Sequence, residues 1–143
     1  MGFETIENIT RADIAYRIYG NDLSELFHSG AKAILSAMTG NPDAISADIN
    51  KNIKLSEKDP EWLFFNFLQE IIFFKDSESL LLLPDKIEIT KARHGYYCKG
   101  RLSGEKINPE RHELKVDVKA VTMHNYKLEN KYGLWTATVV LDV

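Results

Sequence analysis

A single cysteine, Cys98, leaves the chain with no partner for an intramolecular disulfide. Small secreted domains lean on such bridges, so their absence points to a reducing compartment. Long apolar runs are missing too. Trp62 to Phe74 and Leu80 to Leu83 are the most apolar stretches, and both are too short or too interrupted to span a bilayer. The opening residues Met1-Gly2-Phe3-Glu4-Thr5 lack a basic start followed by an apolar run, and Ile6 stands where a myristoylation signal needs Ser or Thr. The expectation is a cytoplasmic protein with no membrane partner. There is no basic surplus: the formal net charge is -3, which argues against a large non-specific nucleic-acid footprint while leaving room for a local basic patch. No Gly-rich phosphate loop, His-Glu-x-x-His, Cys-x-x-Cys or Gly-x-Ser-x-Gly is present, so the common nucleotide, metalloprotease, redox and hydrolase signatures drop out. The four histidines, at 28, 94, 112 and 124, are too scattered to mark a zinc site.

What is present suits one domain over residues 1–143. A hydrophobic content of 44% against 27% charge is enough to build a core and excludes intrinsic disorder. Residues 12 to 19 alternate, with Ala12, Ile14, Tyr16 and Ile18 on one side and Asp13, Ala15, Arg17 and Tyr19 on the other, the pattern of a half-buried strand. Asp22 with Glu25 resembles a capping box for a helix whose stripe is Leu23, Leu26, Phe27, Ala31, Ile34, Leu35 and Met38, stopped by Gly40 and Pro42. Residues 45 to 55 read as a second strand with a break or bulge near Asn50. Asp59-Pro60 opens a second helix, apolar almost all round from Trp62 to Phe74, which is either buried on more than one side or a partner surface. Strands are expected over 80–83, 86–92, 96–102, 113–124 and 135–141, punctuated by glycine and proline. Helices early and antiparallel strands late give an α+β fold, with two helices packed on a mainly antiparallel β-sheet.

Four groups of residues are candidates for chemistry. Asp13 is an acid on the polar side of the first strand. At the other end, Asp142 and Val143 follow a strand, which places a side-chain carboxylate and a main-chain oxygen of Val143 close together. Hard oxygen donors suit Ca²⁺, Mg²⁺ or Mn²⁺, and if the first and last strands are neighbours Asp13 adds a further donor. In the run Lys119-Ala120-Val121-Thr122-Met123-His124, Ala120, Thr122 and His124 share one strand face and Lys119 the other, so a Lys119–His124 acid/base pair requires a bulge. Gly104-Glu105 with Arg111-His112 reads as a solvated loop of mixed charge. Finally, Lys86, Lys91, Arg93, Lys99, Arg101 and Lys106 lie among Tyr96 and Tyr97, which is either an RNA-facing hairpin or a solvated face.

Taken together, these segments resemble the archease family. The stretch Asp13-Ile14-Ala15-Tyr16-Arg17-Ile18-Tyr19-Gly20 with the Leu23–Phe27 helix start resembles the family's opening. Trp62 to Glu70 resembles its second helix, and Gly104-Glu105, Arg111-His112, Val118 to His124 and Val140-Leu141-Asp142-Val143 follow in the family's order. The family usually has His-Thr-Ala-Asp before the first strand; here Thr10-Arg11-Ala12-Asp13 keeps the acid and lacks the histidine. The resemblance implies an activator of an RtcB-type RNA ligase in tRNA splicing and RNA repair. Such a protein promotes guanylylation and multiple turnover of the ligase and is not itself an enzyme. It also implies a divalent metal, Ca²⁺ first with Mg²⁺ or Mn²⁺ as alternatives, held by Asp13, Asp142 and Val143. The implied partner is the ligase, with tRNA reached indirectly and self-association left open. The competing readings are a small metal-dependent phosphohydrolase and a chaperone-like or RNA-binding module.

Overall fold

The structure, a computed structural model, describes residues 1–6 and 13–143. Strand β1 (Gly2–Ile6) precedes β2 (Asp13–Gly20), helix α1 (Leu23–Met38), β3 (Ile49–Glu57), helix α2 (Pro60–Glu78), β4 (Leu80–Ala92), β5 (Gly95–Lys106), β6 (Ala120–Lys131) and β7 (Leu134–Asp142). Both helices start where the local chemistry directs. The Asp22 carboxylate accepts the Glu25 N–H at 2.8 Å, and the Glu25 carboxylate accepts the Asn21 N–H at 3.2 Å, a reciprocal arrangement one residue out from an ideal capping box. Asp59 accepts the Trp62 N–H at 2.9 Å, with Pro60 at the first helical position where its missing donor costs nothing. Helix α2 ends at Ser79, which takes the left-handed conformation at φ 56.

The fold is α+β, as the sequence indicates, but the strands divide into two antiparallel sheets rather than one. The first has the order β1-β2-β7-β6 and the second β3-β5-β4. The reason lies in α2. Leu63, Phe64, Phe67, Leu68, Ile71 and Ile72 are all buried, and a helix apolar around most of its girth needs cover on more than one side. It packs on β6 of the first sheet and on the second sheet, while α1 packs on β2 and β4, so one core joins both sheets and both helices. Trp62 and Phe73 stay at the surface. At the centre the Phe27 ring lies 5.0 Å from Phe64 and 5.0 Å from Phe67. The close approach depends on Gly30, where an added Cβ would stand 2.7 Å from the Phe64 ring. Among the described residues no helix is long and apolar enough to cross a membrane.

Several boundaries differ from the sequence reading. Ala12 lies outside the described residues, and β1 was not anticipated. β3 starts at Ile49, after a 3₁₀ turn over Pro42–Ala44, and pairs with β5 without a break. The slip near Asn50 is therefore no bulge. It is Lys51 on the inward side, its stem tucked in and its ammonium held 2.7 Å from Glu78. The two stretches 80–83 and 86–92 are one strand whose register shifts between Pro84 and Lys86. The strand expected over 113–124 begins only at Ala120. Residues 114–116 instead dock on the end of α1, with Lys115 N–H bonded to the Met38 carbonyl and Val116 N–H to that of Ala37. β6 then runs on to Lys131 through a register shift between Thr122 and Lys127.

Candidate metal centre

β2 and β7 are antiparallel neighbours, and their register pairs Asp13 directly with Asp142. Directly paired residues project to the same face of a sheet with Cβ atoms roughly 5 Å apart. On the far side of β7, Asp142 pairs with Ala120 of β6. One row across the sheet thus reads Asp13, Asp142, Ala120, and the methyl of Ala120 leaves the flank of Asp142 uncrowded. All three are half-buried. The row is fixed from the opposite face by Ile14, Val121 and Leu141, which sit in or against the core. The Asp142 carbonyl accepts the Lys119 N–H at 2.8 Å, which pins the end of β7. Val143 lies just past the strand, and its side chain packs against the core. Asp13 also has an interaction of its own within the fold.

Two rows along, past Ile14, Leu141 and Val121, Thr122 pairs with Val140, which pairs with Ala15, so Thr122 projects to the same face as the two acids. Its hydroxyl is buried and has no hydrogen-bond partner among the described residues. An unmade bond to a buried hydroxyl is costly, and native structures keep such groups for a reason. Thr122 is a further oxygen on this face, about 7 Å along the strands from the acid row, and the sequence did not single it out as one. Its signal was present in the alternation of Ala120 and Thr122, but nothing there marked a buried, unsatisfied oxygen. Two carboxylates and a main-chain oxygen are the hard donors that Ca²⁺, Mg²⁺ or Mn²⁺ takes. Among the described residues no three His, Cys, Asp or Glu side chains converge on one point.

The other candidates come out differently. Lys119 precedes β6, and the register shift falls between Thr122 and Lys127, a span that includes His124; His124 is exposed, its Nε2 3.3 Å from the Asn125 side-chain amide, and among the described residues no hydrogen bond joins it to Lys119. The expected solvated loop around Glu105, Arg111 and His112 is instead a buried clasp. Glu105 and His112 are 8% and 3% exposed. His112 Nδ1 accepts the Asn108 N–H at 2.9 Å, which leaves Nε2 as the protonated nitrogen, 3.1 Å from Glu105 Oε1. The same carboxylate pairs with Arg111 and accepts the Ser46 N–H, while Arg111 donates to the Ala44 carbonyl at 2.8 Å. Burial first, and the Arg111 guanidinium second, hold the His112 pKa below its usual value. Alternating polarity cannot reveal such a clasp, because its members come from segments distant in sequence. Thr10, where the family usually has histidine, lies outside the described residues.

Comparison with known proteins bears on this geometry. Residues 3–143 match the model of the Archease protein family (MTH1598/TM1083). Protein archease of Thermococcus kodakarensis is 36% identical over 133 residues, covering 92% of this chain and 93% of that protein. Protein archease of Methanothermobacter thermautotrophicus is 32% identical over 142 residues, covering 99% of each. Among solved structures, the solution structure of Methanobacterium thermoautotrophicum protein 1598 superposes with a TM-score of 0.85 at 32% identity and covers 99% of both chains. The crystal structure of a Thermotoga maritima archease, described as a possible chaperone, shares the fold with a TM-score of 0.66 at 23% identity, covering 98% of both chains.

Proposed function

The chain belongs to the archease family, and from that premise we propose that it is a cytoplasmic activator of an RtcB-type RNA ligase in tRNA splicing and RNA repair, with no turnover of its own. In this reading Asp13, Asp142 and a main-chain oxygen of Val143 hold a divalent cation, Ca²⁺ first. The observation that supports it most is the direct pairing of Asp13 with Asp142 across β2 and β7. It brings together acids 129 positions apart and fixes both on ordered strand backbone. A cation bound there would counter negative charge building on phosphate oxygens during nucleotidyl transfer to the ligase. The chain's own part is to present the acids at a strand end. Lys119 N–H and the side chain of Val143 keep that end from fraying.

The phosphohydrolase alternative needs a general base, and His112, one of the two histidines it would call on, already has both ring nitrogens engaged in the clasp. The test is RNA joining by an RtcB-type ligase from the same source at limiting enzyme, with and without this protein. The expected result is a gain in turnovers that is lost in Asp13→Ala and in Asp142→Ala, with both variants folded by circular dichroism. A competent ligase that gains nothing would overturn the activator reading. Release of phosphate from a phosphoester by the lone protein with Mn²⁺ would put the enzyme reading in its place.

A further inference from the structure

The second sheet has one face in the core and one in solvent, and the solvent face has a composition of its own. On β5, Tyr97, Lys99 and Arg101 are exposed; on β3 they are flanked by Lys54 and Asn52, and on β4 by Lys86 and Glu88. These residues line two shallow depressions that meet at Lys99. One, of about 310 Å³, is bordered by Asn52, Lys86, Lys99 and Arg101. The other, of about 320 Å³, is bordered by Lys54, Tyr97 and Lys99. A third continues from Tyr97 to Lys58 and His94. The result is a track along β5 with a tyrosine ring on the central strand and cations to either side.

Segregation of charge and the position of the ring are the reasons to read this as a surface with a ligand. The chain carries a net charge of -3, yet this face sets Lys54, Lys86, Lys99 and Arg101 against Asp85 and Glu88, with Glu57 beside Lys58 at the far end of the track. Arg101 is paired with Asp85 and Lys86 with Glu88, whereas Lys54 and Lys99 enter no ion pair among the described residues. Tyr97 is 46% exposed in mid-sheet, where the paired positions on β3 and β4 are Ser56 and Thr90. Small neighbours leave its ring open. Cations not tied to carboxylates suit phosphates, an open ring suits an unstacked base, and side-chain amides and hydroxyls beside it suit base edges. An acidic peptide would use the cations and leave the ring without a role.

We propose that the outer face of the β3-β5-β4 sheet binds single-stranded RNA, with Lys54 and Lys99 on phosphates and Tyr97 stacking a base. The cation set is narrower than the hairpin read from the sequence. Lys91 turns to Tyr96, 5.8 Å from its ring, and Lys106 donates to the Glu78 carbonyl at 3.2 Å. This goes beyond the ligase reading and does not depend on it, because the face lies on a different sheet from Asp13 and Asp142.

The experiment is fluorescence anisotropy of a labelled single-stranded oligoribonucleotide titrated with the full chain alone, between 50 and 200 mM salt. Saturable binding that weakens with salt is expected. In Lys54→Gln/Lys99→Gln the slope of log K against log salt should fall by about 1.4, since each lost contact to a single strand removes ~0.7. Tyr97→Ala should weaken RNA binding about tenfold, the scale of one lost base stack, and Tyr97→Phe should restore it. Neither tyrosine variant should change binding of inorganic polyphosphate, which has no base to stack. All substitutions are at exposed positions, so circular dichroism should be unchanged. Absence of saturable binding at 50 mM salt would overturn the proposal. So would binding indifferent to the lysine pair, or equal effects of Tyr97→Ala on RNA and polyphosphate. Ligation is not the readout, so failure here leaves the activator reading standing, and the reverse also holds.

Discussion

Replacing Glu105 by alanine tests whether the clasp is a buried element of the fold or a solvated loop. The carboxylate serves three donors: His112 Nε2, the Ser46 N–H and the Arg111 guanidinium. The His112 side chain is fully sequestered, so losing its acceptor leaves a buried N–H unsatisfied at a cost of about 2 kcal/mol. Ser46 is half-buried and recovers part of its bond from water, which leaves about 1 kcal/mol. The Arg111 side chain is 43% exposed, so its ion pair contributes little beyond that once solvent screening is counted. Glu105→Ala should therefore cost about 3 kcal/mol, a large part of the 5–15 kcal/mol that holds a typical domain together. Glu105→Gln keeps the shape but turns an amide N–H toward a donor on one side, for about 2 kcal/mol, and Arg111→Ala should stay under ~1 kcal/mol. Urea unfolding followed by circular dichroism at pH 7.5 gives the three values with m-values as a control. An Arg111→Ala loss equal to or larger than that of Glu105→Ala would refute the reasoning, because it would place the energy in the exposed ion pair. The clasp also sets a pH dependence. With the folded-state pKa of His112 depressed, stability is fully present above the unfolded value of ~6.5 and is lost as pH falls from there through the folded value. Replacing His112 by glutamine should flatten that decline.

Gly30→Ala gains up to ~1 kcal/mol of helix propensity yet should lower stability by about 1–3 kcal/mol net, because its Cβ meets the Phe64 ring at 2.7 Å in a close-packed core; thermal unfolding measures it. Lys75 is buried against Asp117, Asp76 at 2.6 Å and the Val118 carbonyl at 2.7 Å. Burial alone lowers its pKa, and the bonds to Asp117 and Asp76 outweigh that and raise it. The raised value means its contribution is complete below ~10.5 and lost as pH rises through the folded value, so Lys75→Met should remove an alkaline unfolding step and cost about 1–3 kcal/mol at pH 7, chiefly through the Val118 carbonyl left without its donor, since the exposed Asp76 and Asp117 carboxylates return to water. The Cys98 thiol is 2% exposed and pushed up to about 12 by burial, so iodoacetamide at pH 8 should label it only after unfolding, as mass spectrometry would show.

How much of this was legible in the sequence depended on whether its physics is local. Asp22 with Glu25 and Asp59 with Pro60 announce both helices, since a cap acts within four residues. The alternation of Ile14, Tyr16 and Ile18 announces β2 for the same reason. Lys51 misled because an amphipathic side chain satisfies an inward position while counting as polar. The stretch 113–119 misled because it has no strand partner of its own: it is ordered by α1, through the Met38 and Ala37 carbonyls, and by Lys75, which holds Asp117 and the Val118 carbonyl. Glu105 and His112 read as loop charges because their burial is set by residues 41–46, some sixty positions away in the chain.

The two candidate surfaces differ in the same respect. The acids at 13 and 142 were singled out from opposite ends of the chain, but only the β2–β7 register puts them in one row, and a slip of one residue would have sent one of them into the core. That register is set by the apolar residues behind the row. Ile14 pairs with Leu141, and Ile18 with Ala137, so the core decides where the carboxylates meet. Under the activator function proposed above, trimming Leu141 to alanine should therefore act on ligase activation in two ways, by lowering stability about 2–5 kcal/mol and by loosening the end of β7 that carries Asp142. Asp142→Asn should lower activation with little loss of stability. A Leu141→Ala protein that remained folded and fully activating would show that the row is not positioned by the core behind it. The Lys99–Tyr97 face should be unaffected by either substitution, because its three strands are fixed by β5 and not by β7.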